Sequence, residues 1–164
     1  MLPAVGSYPS PSTASHLGAS PLDLRRGYGS VNTVLFACVH NAGRSQMAAA
    51  IFNRFADPSK ARAISAGTQP GPRVHPEVVQ VMNEAGLALE HVVPRKLSAE
   101  LAAEASILVT MGCGDACPVL PGVKRDDWPL DDPKGQPIER VREIRAEIER
   151  RVRGLLAGRG WLRP

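Results

Sequence analysis

The amino-acid sequence predicts one α/β domain, built on a parallel sheet with helices on both faces. Short apolar runs alternate with longer helical segments from residue 31 onward, and this alternation is typical of βαβ units. The 164-residue chain is 43% hydrophobic and 22% charged, which is enough apolar material for the core of one domain of ordinary size. We therefore expect a single globular domain rather than two.

The first thirty residues have a different composition from the rest. They contain six Ser, four Pro and four Gly, without a periodic apolar pattern. Such a segment buries too little apolar surface to offset the entropy lost on ordering. We predict a disordered extension over residues 1–30 and a catalytic domain over residues 31–160.

Four later segments have the composition of short strands. Residues 31–37 (VNTVLFA) form the clearest, because they are apolar and β-branched throughout most of their length. The other candidate strands are residues 63–66, 106–111 and 123–128.

Helical segments lie between and after these strands. Residues 45–55 place Met47, Ile51 and Phe55 on one face. A second helix begins at Pro76 and stops before Gly86, and a third begins after Ser98. The last helix carries a long apolar stripe at spacings of three or four residues, formed by Ile138, Val141, Ile144, Ile148, Val152 and Leu155.

Charge and composition exclude several classes of protein. The net charge of +4 arises entirely within residues 137–164, which hold eight Arg interleaved with four Glu. That interleaving is typical of a solvated helix face, so we predict no nucleic-acid partner. No apolar run approaches the length of a membrane span, and no secretory signal is recognisable. The predicted location is the cytoplasm, without membrane association.

An oxyanion-binding loop is predicted between the first strand and the first helix. Ligands of parallel α/β sheets bind beyond the carboxyl ends of strands, and backbone N–H groups before a helix attract anions. Arg44 would add a bidentate fork, and the same positive field would favour a nucleophilic thiolate at Cys38. The loop comprises Cys38, Val39, His40, Asn41, Ala42, Gly43, Arg44 and Ser45.

Two further segments carry reactive side chains. Cys113 and Cys117 are close enough in sequence to pair, although two thiols without a role are an alternative and a zinc site lacks two of its four ligands. Asp131 and Asp132 precede Pro133 in a loop, where a carboxylic acid could protonate a leaving oxygen or simply belong to an acidic turn. The residues alone leave these alternatives open.

The segments CVHNAGRSQMA, SAGTQP, LVTMGCGDACPV and LDDPKGQ resemble the low-molecular-weight protein tyrosine phosphatase superfamily, and most of all its arsenate reductase branch. The resemblance covers roughly residues 31–156. It implies a four-stranded parallel sheet, Cys38 as nucleophile, Arg44 as oxyanion ligand and Asp132 as general acid. It also implies that Cys113 and Cys117 pass a disulfide from Cys38 to an external reductant, with no metal or organic cofactor.

Two departures from the family refine this expectation. Where the phosphatases carry aromatic residues after the Asp-Pro pair, this chain has Lys134, Gly135 and Gln136, which favours a small inorganic oxyanion such as arsenate. The spacing of Cys113 and Cys117 is shorter than in thioredoxin-coupled reductases. The reductant is therefore either thioredoxin or a small thiol, glutathione or mycothiol, with a glutaredoxin-like protein. The alternatives are a phosphatase and a non-catalytic oxyanion or thiol sensor.

Overall fold

The computed structural model describes residues 30–164, and within them four parallel strands form one sheet. The predicted extension, up to residue 29, lies outside the described residues. The strands are β1 (Asn32–Cys38), β2 (Ala61–Gly67), β3 (Ile107–Thr110) and β4 (Lys124–Asp127). Their spatial order is β2-β1-β3-β4, so β1 and β3 occupy the centre of the sheet.

The helices connect successive strands and close the chain. They are α1 (Arg44–Phe55), α2 (Pro76–Glu84), α3 (Ala99–Ala103) and α4 (Ile138–Arg159), and a short 3₁₀ helix spans Gly114–Ala116. The helix starts follow the sequence closely: Pro76 is the first residue of α2, and the Ser98 side chain caps α3 by accepting the Leu101 N–H at 3.1 Å. The predicted starts of these two helices are therefore confirmed.

Alternate residues of β1 face opposite layers of the core. Val34 and Phe36 pack into the larger cluster with side chains of α1, α2 and α4, whereas Leu35 and Ala37 pack into a smaller cluster that includes Ala102 of α3. Helices therefore cover both faces of the sheet. The predicted fold class is confirmed.

Helix α4 buries its apolar stripe and exposes its charges. Leu156 is fully buried, whereas Leu155 is only partly buried, so the stripe ends one residue later than predicted because 3.6 residues per turn carries position 156 back to the core face. Arg150 and Arg153 pair with Glu147 and Glu149 on the helix surface, as expected for a solvated face. No helix within residues 30–164 is long and apolar enough to span a membrane.

Among the strands, the predicted boundaries differ most at β2, one of the two edge strands. β2 begins two residues earlier than predicted, at Ala61, because its backbone pairs with β1 from Asn32 onward. All four residues of β4 are exposed, so its pairing with β3 rather than burial of side chains defines it. Parallel pairing brings the segments after β1, β3 and β4 to one edge of the sheet, which is where ligands of such sheets bind.

Candidate active site

The loop after β1 directs its carbonyl groups away from its own centre. The N–H groups of Thr68, Gln69, Gly71 and His75 donate to loop carbonyl oxygens at 2.8–3.1 Å. The oxygens that accept these bonds belong to Cys38, Val39, His40 and Ala42. Because the neighbouring segment occupies the carbonyls, the loop is fixed with its amide N–H groups available on the inner side.

Several of these N–H groups have no acceptor among the described residues. Within residues 30–164, no backbone or side-chain acceptor meets the N–H groups of His40, Ala42, Gly43 and Arg44. Gly43 precedes α1 as its N-cap and supplies no side-chain cap. Buried N–H groups left without acceptors are costly unless a ligand satisfies them, so the inner side of the loop, called the anion cradle below, is suited to an anion.

Cys38 is the last residue of β1 and is 2% exposed. Its sulfur lies 2.8 Å from Ser45 Oγ and accepts the Asn41 backbone N–H at 3.2 Å. Asn41 Nδ2 donates to Ser45 Oγ at 2.8 Å, and either the Ser45 hydroxyl or the Cys38 thiol can donate in the contact between them. The Cys38 sulfur is therefore held by the Asn41 N–H and by Ser45.

Asn41 fixes the sharp turn in the middle of the loop. Its φ of 49° lies in the left-handed region, which Asn tolerates better than most residues. Its Oδ1 accepts the Gln46 side-chain N–H and the Arg95 backbone N–H, both at 3.0 Å. A small internal network therefore holds Asn41, and through it Ser45.

Arg44 lies along the other side of the loop, with a side chain only 10% exposed. Its Nη1 donates to the Leu130 carbonyl at 2.9 Å, and its Nη2 lies 3.9 Å from Asp132 Oδ2. Gly112 has room for this guanidinium because it lacks a side chain: a Cβ there would lie 2.4 Å from Nη1. The remaining guanidinium protons are free for an oxyanion.

The structure separates the two adjacent acids of the third segment. Asp131 forms an ion pair with Arg140 of α4, whereas Asp132 faces Arg44 with a side chain 45% exposed. Asp132 Oδ1 accepts the Lys134 N–H at 3.0 Å. Pro133 is buried against Gly43, so that a Cβ on Gly43 would lie 2.7 Å from it. Asp132 is therefore the acid beside the anion cradle.

His75 lies against both loops. Its ring is 3.5 Å from the point where a Gly43 side chain would begin. Partial burial lowers the pKa of His75 below its ordinary value, although the negative charges of Glu77 and Asp132 act in the opposite direction. A neutral imidazole beside the cradle leaves Arg44 as the principal cation there.

Cys113 and Cys117 are joined as a disulfide across the short 3₁₀ helix, with their Cα atoms 5.7 Å apart, and Cys38 is a free thiol. In this state the two cysteines are paired with each other, which is the first of the alternatives that the sequence left open. Both half-cystines are buried in the smaller cluster, on the α3 side of the sheet, whereas Cys38 belongs to the larger one. Cys113 Sγ nevertheless lies 3.8 Å from the carbonyl oxygen of Ala37, next to Cys38 in the chain.

The structure adds site residues that the sequence did not identify. Gly67, at the end of β2, packs under the loop: a Cβ there would lie 2.6 Å from the Val39 carbonyl oxygen. Gly112 and the Leu130 carbonyl position Arg44. A glycine directly after each of the predicted strands 63–66 and 106–111 was the available signal for Gly67 and Gly112, but no sequence signal identifies the backbone carbonyl of Leu130.

Comparison with known proteins shows which family and which relatives this chain resembles. The family model described as low molecular weight phosphotyrosine protein phosphatase matches residues 33–159. A Halobacterium salinarum protein named "Putative arsenate reductase" is 43% identical over 121 residues, 71% of this chain and 85% of the relative. A glutaredoxin arsenate reductase of Synechocystis is 31% identical over 127 residues, 76% of this chain and 95% of the relative. The solved thioredoxin-dependent arsenate reductase of Corynebacterium glutamicum matches with a TM-score of 0.68 and 38% identity, over 78% of this chain and 61% of that chain.

Proposed function

Because the chain belongs to the low molecular weight phosphotyrosine protein phosphatase family, we propose that it uses the family's nucleophilic loop to reduce arsenate to arsenite. The observation that carries this proposal is a disulfide between Cys113 and Cys117 beside a free, buried Cys38. A phosphatase has no use for a second and third cysteine near its nucleophile. A three-thiol reductase needs both, and it ends its cycle in this pairing.

The first step forms a bond between sulfur and arsenic. The Cys38 thiolate attacks arsenic(V), while Arg44 and the loop N–H groups bind the remaining oxygens. Asp132 donates a proton to the departing oxygen, which leaves as water. The approach of Asp132 to Arg44, at 3.9 Å, supports this role because both groups then meet the same oxyanion.

The second step transfers two electrons to arsenic. The Cys113 thiolate attacks the Cys38 sulfur, and the electron pair of the sulfur–arsenic bond goes to arsenic, which leaves as arsenite. Cys117 then attacks the Cys113 sulfur and releases Cys38 as a thiolate. The Cys113–Cys117 disulfide that results is reduced by an external thiol, which closes the cycle without a metal or organic cofactor.

The relay requires the segment of Cys113 and Cys117 to move. The two residues pack in the core cluster on the far face of the sheet from Cys38. Three glycines with positive φ, Gly112, Gly114 and Gly122, divide this segment, and glycine changes between backbone regions at little steric cost. We propose that the segment rotates about these glycines so that Cys113 reaches Cys38 when both are reduced.

The external reductant is a thiol system of the cytoplasm, where disulfides are kept reduced. The name of one relative specifies thioredoxin and that of another specifies glutaredoxin, so both systems are candidates for this chain. The disulfide is buried at both ends, Cys113 at 7% and Cys117 at 2% exposure. Either reductant can therefore reach the disulfide only when the segment of Cys113 and Cys117 opens.

The decisive experiment follows arsenate-dependent NADPH consumption with thioredoxin, thioredoxin reductase and NADPH, and counts the arsenite formed. A parallel reaction replaces the thioredoxin system with glutathione, glutaredoxin and glutathione reductase. Cys38→Ser should reduce arsenite formation to background, because a serine hydroxyl is a far weaker nucleophile than a thiolate. Turnover of an aryl phosphate without arsenate reduction would identify a phosphatase, and arsenic binding without turnover of either would favour the sensor.

A further inference from the structure

The first turn of α2 is bonded to both catalytic loops. At its start, the His75 N–H donates to the Ala42 carbonyl of the oxyanion-binding loop at 2.9 Å. Two residues later, Glu77 Oε1 accepts the backbone N–H of Gly135 at 2.8 Å. These two bonds make α2 a bridge between the oxyanion-binding loop and the acid loop, by which we mean residues 130–136.

The position of Asp132 depends on the rest of the acid loop. Its side chain is 45% exposed and stands 3.9 Å from Arg44, which is longer than a hydrogen bond. Its hydrogen bond within the described residues is the local one from the Lys134 N–H. The position of the Asp132 carboxyl group therefore depends on the conformation of the turn through Lys134 and Gly135.

Anchors fix the acid loop on both sides of this turn. Before the turn, Leu130 accepts a hydrogen bond from Arg44, and Pro133 packs on Gly43. After it, Gly135 has a φ of +69° and donates to Glu77, 58 residues away in sequence. A backbone N–H donating to a carboxylate is among the stronger hydrogen bonds in proteins, so Glu77 holds the end of the turn that follows Asp132.

We propose that Glu77 is a positioning residue for the general acid, acting through Gly135 to hold Asp132 over the oxyanion-binding loop. This inference rests on the proposed function for the role of Asp132, and it adds a residue that does not touch the substrate. A side-chain substitution at Glu77 removes the bond to Gly135 without touching Arg44 or Cys38.

A second role for Glu77 must be separated from this one. An acidic residue in the first turn of a helix stabilises that helix through its dipole, and Glu77 occupies that position in α2. Glu77→Gln removes the charge but keeps a carbonyl oxygen that can accept from Gly135. Glu77→Ala removes both, and Glu77→Leu removes both while retaining side-chain volume if the alanine variant is unstable. Glu100, an exposed acid in the first turn of α3, is the matched control as Glu100→Ala.

The first measurement is amide hydrogen exchange in the acid loop, which requires no turnover. Glu77→Ala should accelerate exchange at Gly135 about ten-fold or more, the size expected when a charge-assisted hydrogen bond is lost. Glu77→Gln should stay close to the parent protein, and Glu100→Ala should match it. Unchanged exchange in both Glu77→Ala and Glu77→Leu would overturn the proposal.

The second measurement is a double-mutant cycle with Asp132→Asn, read as arsenite formed per enzyme. Glu77→Ala alone should lower kcat about ten-fold or more, since small displacements of a catalytic group are costly, with little change in KM because Arg44 and the loop amides stay in place. In the Asp132→Asn background it should have no further effect. A full additional loss there would overturn the positioning role. If the parent protein forms no arsenite, the proposed function fails, and the exchange measurement still decides whether Glu77 holds the loop.

Discussion

Arg44 owes its position to a residue that has no side chain. Gly112, two residues after the end of β3, has a φ of +90°, and a Cβ there would lie 2.4 Å from Arg44 Nη1. Gly112→Ala should displace the guanidinium from the anion cradle, in addition to straining the backbone. We expect KM for arsenate to rise about ten-fold, the cost of one charge-assisted contact, with phosphate inhibition weakened in parallel.

Gly160→Ala is the matched control for this substitution, because Gly160 follows α4 and lies outside the segment that is proposed to move. Gly160 also has a positive φ, of +67°, but nothing lies within 4 Å of its hypothetical Cβ. It therefore reproduces the backbone strain without the collision, and its KM should remain that of the parent protein. Equal KM values for the two alanine variants would show that Gly112 does not act through Arg44.

The sequence predicted the reactive residues better than their supports. Cys38 and Arg44 lie in one short loop between a strand and a helix, so local pattern was enough to propose an oxyanion-binding loop there. The Leu130 carbonyl that orients Arg44 lies 86 residues away, and Glu77 meets Gly135 from a separation of 58. Such contacts depend on which strand ends meet, and no local pattern encodes that.

At the scale of elements, burial decided which predictions were accurate. Four of the six predicted stripe positions of α4 are buried, because the apolar stripe repeats over about five turns. Strand β4 was the least certain, since none of its four residues is buried and only pairing with β3 defines it. The sequence did not predict that α2 bridges two loops. Its apolar pattern indicates which face of the helix is buried, but it does not indicate which loops contact the start of the helix.

The charged face of α4 leads to a prediction about pH. Hydrogen bonds from Arg150 and Arg151 lower the pKa of Glu147 from its ordinary 4.5 to about 2. Because the folded pKa is the lower one, the ion pairs stabilise the fold fully above about pH 4.5 and lose this effect as the pH falls toward 2. Glu147→Gln should lower Tm by about 1–2 °C at pH 7, as expected for a surface pair.

This difference between the parent protein and Glu147→Gln should shrink at 1 M salt, where surface charges are screened. It should also vanish as the pH approaches 2. Thermal unfolding followed by circular dichroism at pH 7, 4 and 2.5 measures both trends. Glu149→Gln, which removes a single pair with Arg153, should show a smaller effect. A difference in Tm at pH 2.5 that is as large as the one at pH 7 would mean that Glu147 acts by packing rather than by charge.

At the scale of the whole molecule, Cys38 packs on one side of the sheet and the Cys113–Cys117 disulfide packs on the other. The sequence predicted that Cys113 and Cys117 could pair, and the structure joins them. It did not predict that they pack in a different core cluster from Cys38. The side of the sheet on which a loop packs depends on the crossover and on the alternation along β1, and both require the three-dimensional fold. A relay through all three sulfurs therefore requires the segment of Cys113 and Cys117 to move past one edge of the sheet toward Cys38.

The proposed relay predicts a distinct effect for the substitution of each cysteine. These effects distinguish a relay from direct reduction of the arsenic adduct. Cys113→Ser should stop multiple turnovers of arsenate with thioredoxin yet spare any aryl phosphatase activity, because only the electron transfer uses the second sulfur. Cys117→Ser should form about one arsenite per enzyme and trap Cys38 with Cys113, since the third sulfur that releases Cys38 is missing. A small thiol in excess should partly rescue it by reducing the trapped disulfide. Arsenite per enzyme and the mass of non-reduced peptides measure these outcomes, and full turnover by Cys113→Ser with thioredoxin would replace the relay by direct attack of the reductant on the arsenic adduct of Cys38.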